Sequence, residues 1–440
     1  MAEAAAATEG LTDNAPGIVV RPEGSPEARD PRAPCPTLAR ALRTLLGAAL
    51  ALGAASGASA QGQEPTTAGA PRTAANQGAP GTGSFSTQLG YYHHSDDLAG
   101  NPFLDEELTV IEPIVIWDYN VSEDFGYSVS LSYDNVSSAS IERLNKFPEQ
   151  SGASGDYYIG LDYASRHRLE EGEWLGWTLG GSVEYDYTSL HFGGSYSDES
   201  DDRNATSTFA LTGYFDEIDI IRFDGTQSEG TDNRLSLAGT YSLYQVLGRT
   251  WASDLSTTLS FQSGFLETAY NAVVLEDPSF PPNPLLDNQA NGIEFTEELP
   301  DTRIRAAVQY KARHYLGPAR AVELAGRLYG DDWGIFSVAV EPRYYRPLVP
   351  DLLNLRLRYR FYTQTEADDY QEHYFGTAPG DLPEFRTQDA ELAAFDSHGL
   401  GVRFDLLPGG RHEWYVDLNY SLRSDELDGI FASVGYTLRF

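Results

Sequence analysis

Over most of its length the chain alternates apolar and polar residues with a period of two. "FGYSVSLSYD" places Phe125, Tyr127, Val129, Leu131 and Tyr133 on one face and Ser128, Ser130, Ser132 and Asp134 on the other. "EWYVDLNYSLR" repeats the scheme, with Trp414, Val416, Leu418, Tyr420 and Leu422 against Tyr415, Asp417, Asn419 and Arg423. Successive side chains of a strand point to opposite faces, so this period predicts half-apolar β-strands. Sixteen such segments are predicted, centred near residues 90, 114, 130, 161, 181, 194, 211, 240, 260, 309, 326, 341, 359, 402, 418 and 435. The segment "WTLGGSVEYDY" reads as one strand with Trp177, Leu179, Val183, Tyr185 and Tyr187 on its apolar face. The second segment, "LTVIEPIVIWDY", carries Pro113, which cannot donate a ladder hydrogen bond.

The connections between these segments alternate in length. From the second strand on, every other one is short: "NVSED", "LEEGE", "SDDRN", "LGRT", "LGPAR", "VPDLL" and "LPGGR". The intervening set includes the long stretches 136–154, 216–232, 267–300 and 367–394. Short turns at one end and long loops at the other predict an all-β fold, a transmembrane antiparallel up-and-down β-barrel of about sixteen strands. An even count puts both barrel termini on the short-turn, periplasmic side. In a bilayer every backbone polar group must be paired, and a closed ring of strands does this without leaving an edge. A soluble sandwich has the same alternation with its apolar face turned inward.

The start of the chain favours the membrane reading. The longest apolar run, "LLGAALALGAA", follows Arg40 and Arg43 and precedes Ala58-Ser59-Ala60, the three-part pattern of a secretory signal peptide. The expected division is 1–38 an extension without periodicity, 39–60 the signal peptide, 61–84 a Gly/Ala/Pro/Thr linker and 85–440 the barrel. Cys35 is the only cysteine and lies before the apolar run, so disulfides and thiolate chemistry are excluded from the exported part. That part carries 25 basic and 59 acidic residues, a balance that repels nucleic acid.

Two resemblances add to this. The ending "SVGYTLRF", with Val434, Tyr436, Leu438 and Phe440 at alternate positions, resembles the C-terminal signal of Gram-negative outer-membrane proteins. That resemblance implies recognition by the barrel-assembly machinery. The stretches "LPDTRIRAAVQYKARHYL", "LAGRLYGDDWGIFSVAVEPRYYRPL" and "RLRYRFYTQTEADDY", from about 300 to 370, resemble the exported bacterial family called domain of unknown function 3570. The turn Asp331-Asp332-Trp333-Gly334 is its most recognisable element. The family has no established activity, so the resemblance implies a barrel and no catalytic residues.

The chemistry-bearing residues point the same way. No HExxH, GxSxG or phosphate loop is present. Ser397 and His398 are adjacent, as are His93 and His94, so on an extended strand neither pair can converge. No enzyme activity, cofactor or metal is expected, and the acidic loops read as a solvated surface. Charge on the polar face is unevenly spread. The tenth to thirteenth strands present Arg303, Arg305, Lys311, Arg313, Arg327, Arg343, Arg356, Arg358 and Arg360, with Glu323, Asp331 and Glu341 among them. The second to fifth present Asp118, Asp134, Asp156, Asp162, Glu184 and Asp186, with Arg166 the main exception. The two groups lie half a barrel apart and should face each other across the lumen. The arrangement looks similar to the transverse field of general porins; its alternative is pairing of these charges within the wall. The expected function is a porin-like channel for passive diffusion of small polar or charged solutes. The runner-up is a non-conducting barrel serving as receptor, scaffold or assembly partner. Outer-membrane lipid and the barrel-assembly machinery are the expected partners, with loop 267–300 the best candidate to cap the mouth. No interface signature indicates an oligomeric state.

Overall fold

The computed structural model describes residues 79–95, 107–137, 156–184, 186–220, 230–268, 272–277 and 292–440. The expected extension and signal peptide, and the expected linker up to residue 78, lie outside the described residues.

The period-two segments form strands. They are β1 (Gly83–Ser95), β2 (Glu107–Asn120), β3 (Phe125–Ser137), β4 (Asp156–Glu170), β5 (Glu173–Val183), β6 (Tyr187–Glu199), β7 (Ala205–Asp219), β8 (Thr231–Gly248) and β9 (Trp251–Gly264). The second half adds β10 (Ala272–Glu276), β11 (Gly292–Thr296), β12 (Thr302–Gly317), β13 (Arg320–Asp331), β14 (Phe336–Val349), β15 (Leu353–Gln364), β16 (Tyr374–Phe375), β17 (Phe395–Leu406), β18 (His412–Arg423) and β19 (Asp428–Arg439). Sixteen of these close into one barrel, each neighbouring pair antiparallel: β1 to β9, β12 to β15 and β17 to β19. All sixteen expected centres fall within them. The other three, β10, β11 and β16, form a separate small sheet that period-two reading did not anticipate.

The barrel closes where β19 meets β1, with Val434 opposite Leu89, Tyr436 opposite Thr87 and Leu438 opposite Phe85. The seam is completed by Phe440, whose N–H donates to the Gly83 carbonyl at 3.0 Å and whose ring lies 5.2 Å from that of Trp117.

Which face points where is settled by burial. On β5, Trp174, Gly176, Gly180 and Ser182 are buried, while Leu175, Trp177 and Leu179 between them are exposed. On the outer face Leu400 is 64%, Phe215 60% and Leu259 60% exposed. Apolar side chains therefore face out and polar ones in, the inverse of a soluble barrel and the arrangement of one that spans a bilayer. Aromatic pairs such as Trp414–Tyr436 and Trp251–His314 gather near the short-turn ends, where ring and polar tip both find a suitable medium.

Two local features depart from simple alternation. The expected fifth strand is cut: β5 stops at Val183, and Tyr187 opens β6 facing the lumen, where Arg234 donates to its hydroxyl at 2.8 Å. A run of aromatics and acids cannot reveal that a turn reverses its facing. At Pro113 the ladder from β2 to β3 skips a step between Ile111↔Asn135 and Ile114↔Ser132, while pairing with β1 continues through Leu89. The missing N–H is thus accommodated on one side only.

Adjacent residues on β9 offer a test. Leu259→Arg places a charge on the outer face and is expected to cost about 2–4 kcal/mol in a bilayer. Thr258→Arg, facing the lumen, should cost far less. Urea unfolding of the protein in lipid vesicles compares the two.

Candidate functional site

The arc β12–β15 carries the basic residues, and the ring order puts it eight strands from β2–β5. Arg303, Arg305, Lys311 and Arg313 alternate with outward-facing residues on β12, and Arg327, Arg343, Arg356, Arg358 and Arg360 do so on β13–β15.

Most of these cations are neutralised within the wall. Glu323 of β13 lies between Arg313 of β12 and Arg343 of β14, accepting from Arg313 Nε at 2.8 Å and from Arg343 Nη1 at 3.0 Å. Arg343 also binds Glu341, which lies 4.0 Å from Arg358. Further round, Asp417 of β18 accepts from Arg356 at 2.6 Å and is 3.9 Å from Arg403, whose guanidinium sits 3.8 Å over the Tyr415 ring. The register makes these contacts: Glu323 opposes Arg343, and Arg403 opposes both Arg356 and Asp417. Buried charges are retained when each has a partner, and here the partners alternate in sign along one band. Asp417 was absent from the sequence-predicted patch because it lies two strands from Arg356.

The acidic arc is less uniform than expected. Asp118 accepts from Ser84 at 3.0 Å, and Asp162 lies 3.2 Å from His191. Asp134 faces the lumen on β3, and Asp156 is the first residue of β4. Glu184 and Asp186 lie beyond the end of β5, in its connection to β6, so they belong to the mouth and not to the strand wall. A further cluster was missed: Asp216 of β7 accepts from Ser189 at 2.7 Å and from Arg234 of β8 at 3.0 Å. Its only sequence signal was polarity at inward positions of adjacent strands. Pairing within the wall thus removes much of the expected basic excess.

The turn Asp331-Asp332-Trp333-Gly334 has a structural explanation. The fully buried Asp331 carboxylate accepts from Arg303 Nε at 3.0 Å, from the Tyr329 hydroxyl at 2.7 Å, and from the backbone N–H groups of Trp333 and Ile335. Asp332 accepts from the Ile304 N–H at 2.8 Å, and the Trp333 indole donates to the Thr302 carbonyl at 3.0 Å. Arg303 lies 4.1 Å over the Trp333 ring. Gly334 has φ +90° and a Cβ there would collide with Asp368. The turn therefore fastens β12 to β13, and the Trp333 carbonyl accepts from the Asp368 N–H at 2.8 Å, where the last long loop begins.

That loop and the one after β9 build the small sheet. β10 pairs antiparallel with β11 and parallel with β16 around buried Val273, Leu275 and Tyr374. Thr387 donates to Glu297 at 2.5 Å, and the Gln388 amide oxygen accepts from the Val274 N–H at 2.7 Å. Arg423 of β18, its side chain 1% exposed, ties the assembly to the wall through Glu391 at 2.7 Å. The described parts of 267–300 and 367–394 thus form one packed unit, termed the cap, at the loop-bearing end of the wall. Burial and the neighbouring Asp389 push the Glu297 carboxyl up to about 8, opposed by hydrogen bonds from Thr387 and the Thr268 N–H. Asp389 is raised too, by burial, opposed by the Glu391 N–H and the Arg423 charge. Ser397 and His398 point to opposite faces, His398 outward to the Tyr359 hydroxyl at 2.8 Å.

Asp331→Asn strands Arg303 beside a neutral amide and is expected to cost about 3–5 kcal/mol in chemical unfolding. Glu297, an acid with a raised folded-state pKa, contributes stability that is full below its ordinary value of 4.5 and is lost as pH rises toward about 8. Amide exchange in the cap, corrected for intrinsic rate, should therefore show protection falling across that window in the wild type and a flat response in Glu297→Gln.

Comparison with solved structures finds likenesses at low identity. A bacterial polysaccharide outer membrane secretin is 9% identical, with TM-score 0.44, covering 80% of this chain and 98% of its own. OpdK of Pseudomonas aeruginosa, solved with vanillate, is 9% identical, with TM-score 0.37, covering 82% of this chain and 100% of its own. A ferric enterobactin receptor of the same organism is 10% identical, with TM-score 0.40, and is covered over 54% of its length. No curated protein matches this chain. Residues 156–436, more than half of the sequence and including the Asp331–Gly334 turn, match the family model "Protein of unknown function (DUF3570)", and the chain belongs to that family.

Proposed function

We propose that this chain is a porin-like channel of the bacterial outer membrane, admitting small polar or charged solutes by passive diffusion. The observation that carries this is the closed sixteen-strand ring with apolar residues outside and charged, mutually paired residues inside. Such a wall suits water and ions on one side and lipid on the other. In this reading residues 39–60 direct export. Outer-membrane lipid surrounds the barrel, and Val434, Tyr436, Leu438 and Phe440 are read by the barrel-assembly machinery.

The cap supports a second reading. A sheet with its own buried core is more than a loose loop, and a cap that never opens would make the barrel a receptor, scaffold or assembly partner.

Planar-bilayer recording separates the two. The purified, folded protein is expected to give discrete ion-conducting steps. Replacing residues 272–296 by a short Gly/Ser linker should raise the conductance by removing β10 and β11. Silence from both proteins overturns the channel reading; silence from the wild type with steps from the deletion assigns the cap as a closed gate.

A further inference from the structure

Three arginines stand outside the paired network. Arg305, Arg327 and Arg360 make no ion pair or hydrogen bond with a described residue, although each faces the lumen. The Arg305 Nε is buried with no hydrogen-bond partner. Arg360 lies 5.4 Å over the Tyr362 ring, and Arg327 is exposed to the lumen. Their neighbouring carboxylates are already committed: Asp331 to Arg303, and Glu341 to Arg343.

All three lie toward the loop-bearing ends of their strands. β12 starts at Thr302, β13 ends at Asp331 and β15 ends at Gln364, so each arginine lies three or four residues in from the loop-bearing end of its strand. Arg327 pairs with Ala339 of β14, whose partner on the other side is Tyr362, two residues from Arg360 and with its ring 5.4 Å from the Arg360 guanidinium. Strands two apart are separated by about 10 Å, within reach of two arginine side chains that converge on one oxyanion. Glu341, which faces Arg360 across β14 and β15, and Asp331, which faces Arg305, are held by other arginines, so the charge of Arg327 and Arg360 is not taken up by a bonded acid among the described residues.

We propose that Arg327 and Arg360 form a binding site for a small oxyanion, a carboxylate or phosphate group of the permeating solute. Guanidinium forks match the paired oxygens of both groups, and the low-dielectric wall strengthens such bonds. The solute's route rests on the channel reading above; the site's chemistry does not.

The test uses the full, detergent-folded protein and two probes, inorganic phosphate and succinate, each titrated by calorimetry and added to single-channel recordings. Saturable binding is expected for at least one probe, and a response to only one identifies the head group. The double variant Arg327→Gln/Arg360→Gln should weaken binding at least about tenfold and shift the reversal potential in a salt gradient toward cations. Retained heat-modifiable mobility on gels checks that it still folds. Arg249→Gln, in a short turn at the other end, should change neither reading. Absence of binding to both probes, or unchanged binding in the folded double variant, overturns the site. Binding that the variant loses in a protein that never conducts upholds the site and overturns only the channel.

Discussion

The requirement that every backbone N–H and C=O find a partner is what the rest of this structure answers to. It forces the ladder to close, and closure fixes the register of every strand against two neighbours. Once register is fixed, the alternate side chains of each strand are committed to lipid or lumen together. Leu259 cannot turn inward without Thr258 turning out.

The same constraint transmits itself to the lumen. Side chains brought inward are too close and too little hydrated to remain unpaired at little cost, so they pair across strands. Glu323 between Arg313 and Arg343, Asp417 between Arg356 and Arg403, and Asp216 with Arg234 are three instances on different parts of the wall. The Asp331–Gly334 turn extends this to the mouth. Its carboxylate satisfies an arginine, a tyrosine and two backbone donors, the Trp333 carbonyl accepts from Asp368 of the loop that becomes the cap, and Gly334 leaves room for it. A four-residue signature that reads as a family marker is thus, physically, a fastening between wall and cap.

The barrel was largely legible in the sequence because its information is local. Each strand announces itself by period two, each turn by its length and Gly, Pro or Asp content, and the number of strands follows by counting. The inward facing of Arg303, Arg343 or Arg358 needed no partner to be known. The cap was not legible. β10, β11 and β16 are five, five and two residues long, too short for a period to register, and the pairing of β10 with β16 joins segments from two different long loops, Leu275 with Tyr374. The Tyr187 reversal failed for a similar reason: a three-residue connection amid aromatics looks like continued alternation.

What the sequence by itself determined was therefore the wall: its strand count, its two faces and the side of the barrel that carries the arginines, all of which follow from side-chain period and order along the chain. Only the tertiary structure decided which of those arginines are spent on carboxylates and which remain open, because an ion pair depends on the register between strands. Asp417 and Arg356 are 61 residues apart and meet only when β15, β17 and β18 are laid side by side. Arg327 and Arg360 are alike in sequence to their paired neighbours, and that Glu341 is held by Arg343 while neither of them has a bonded acid among the described residues appears only once the strands are joined.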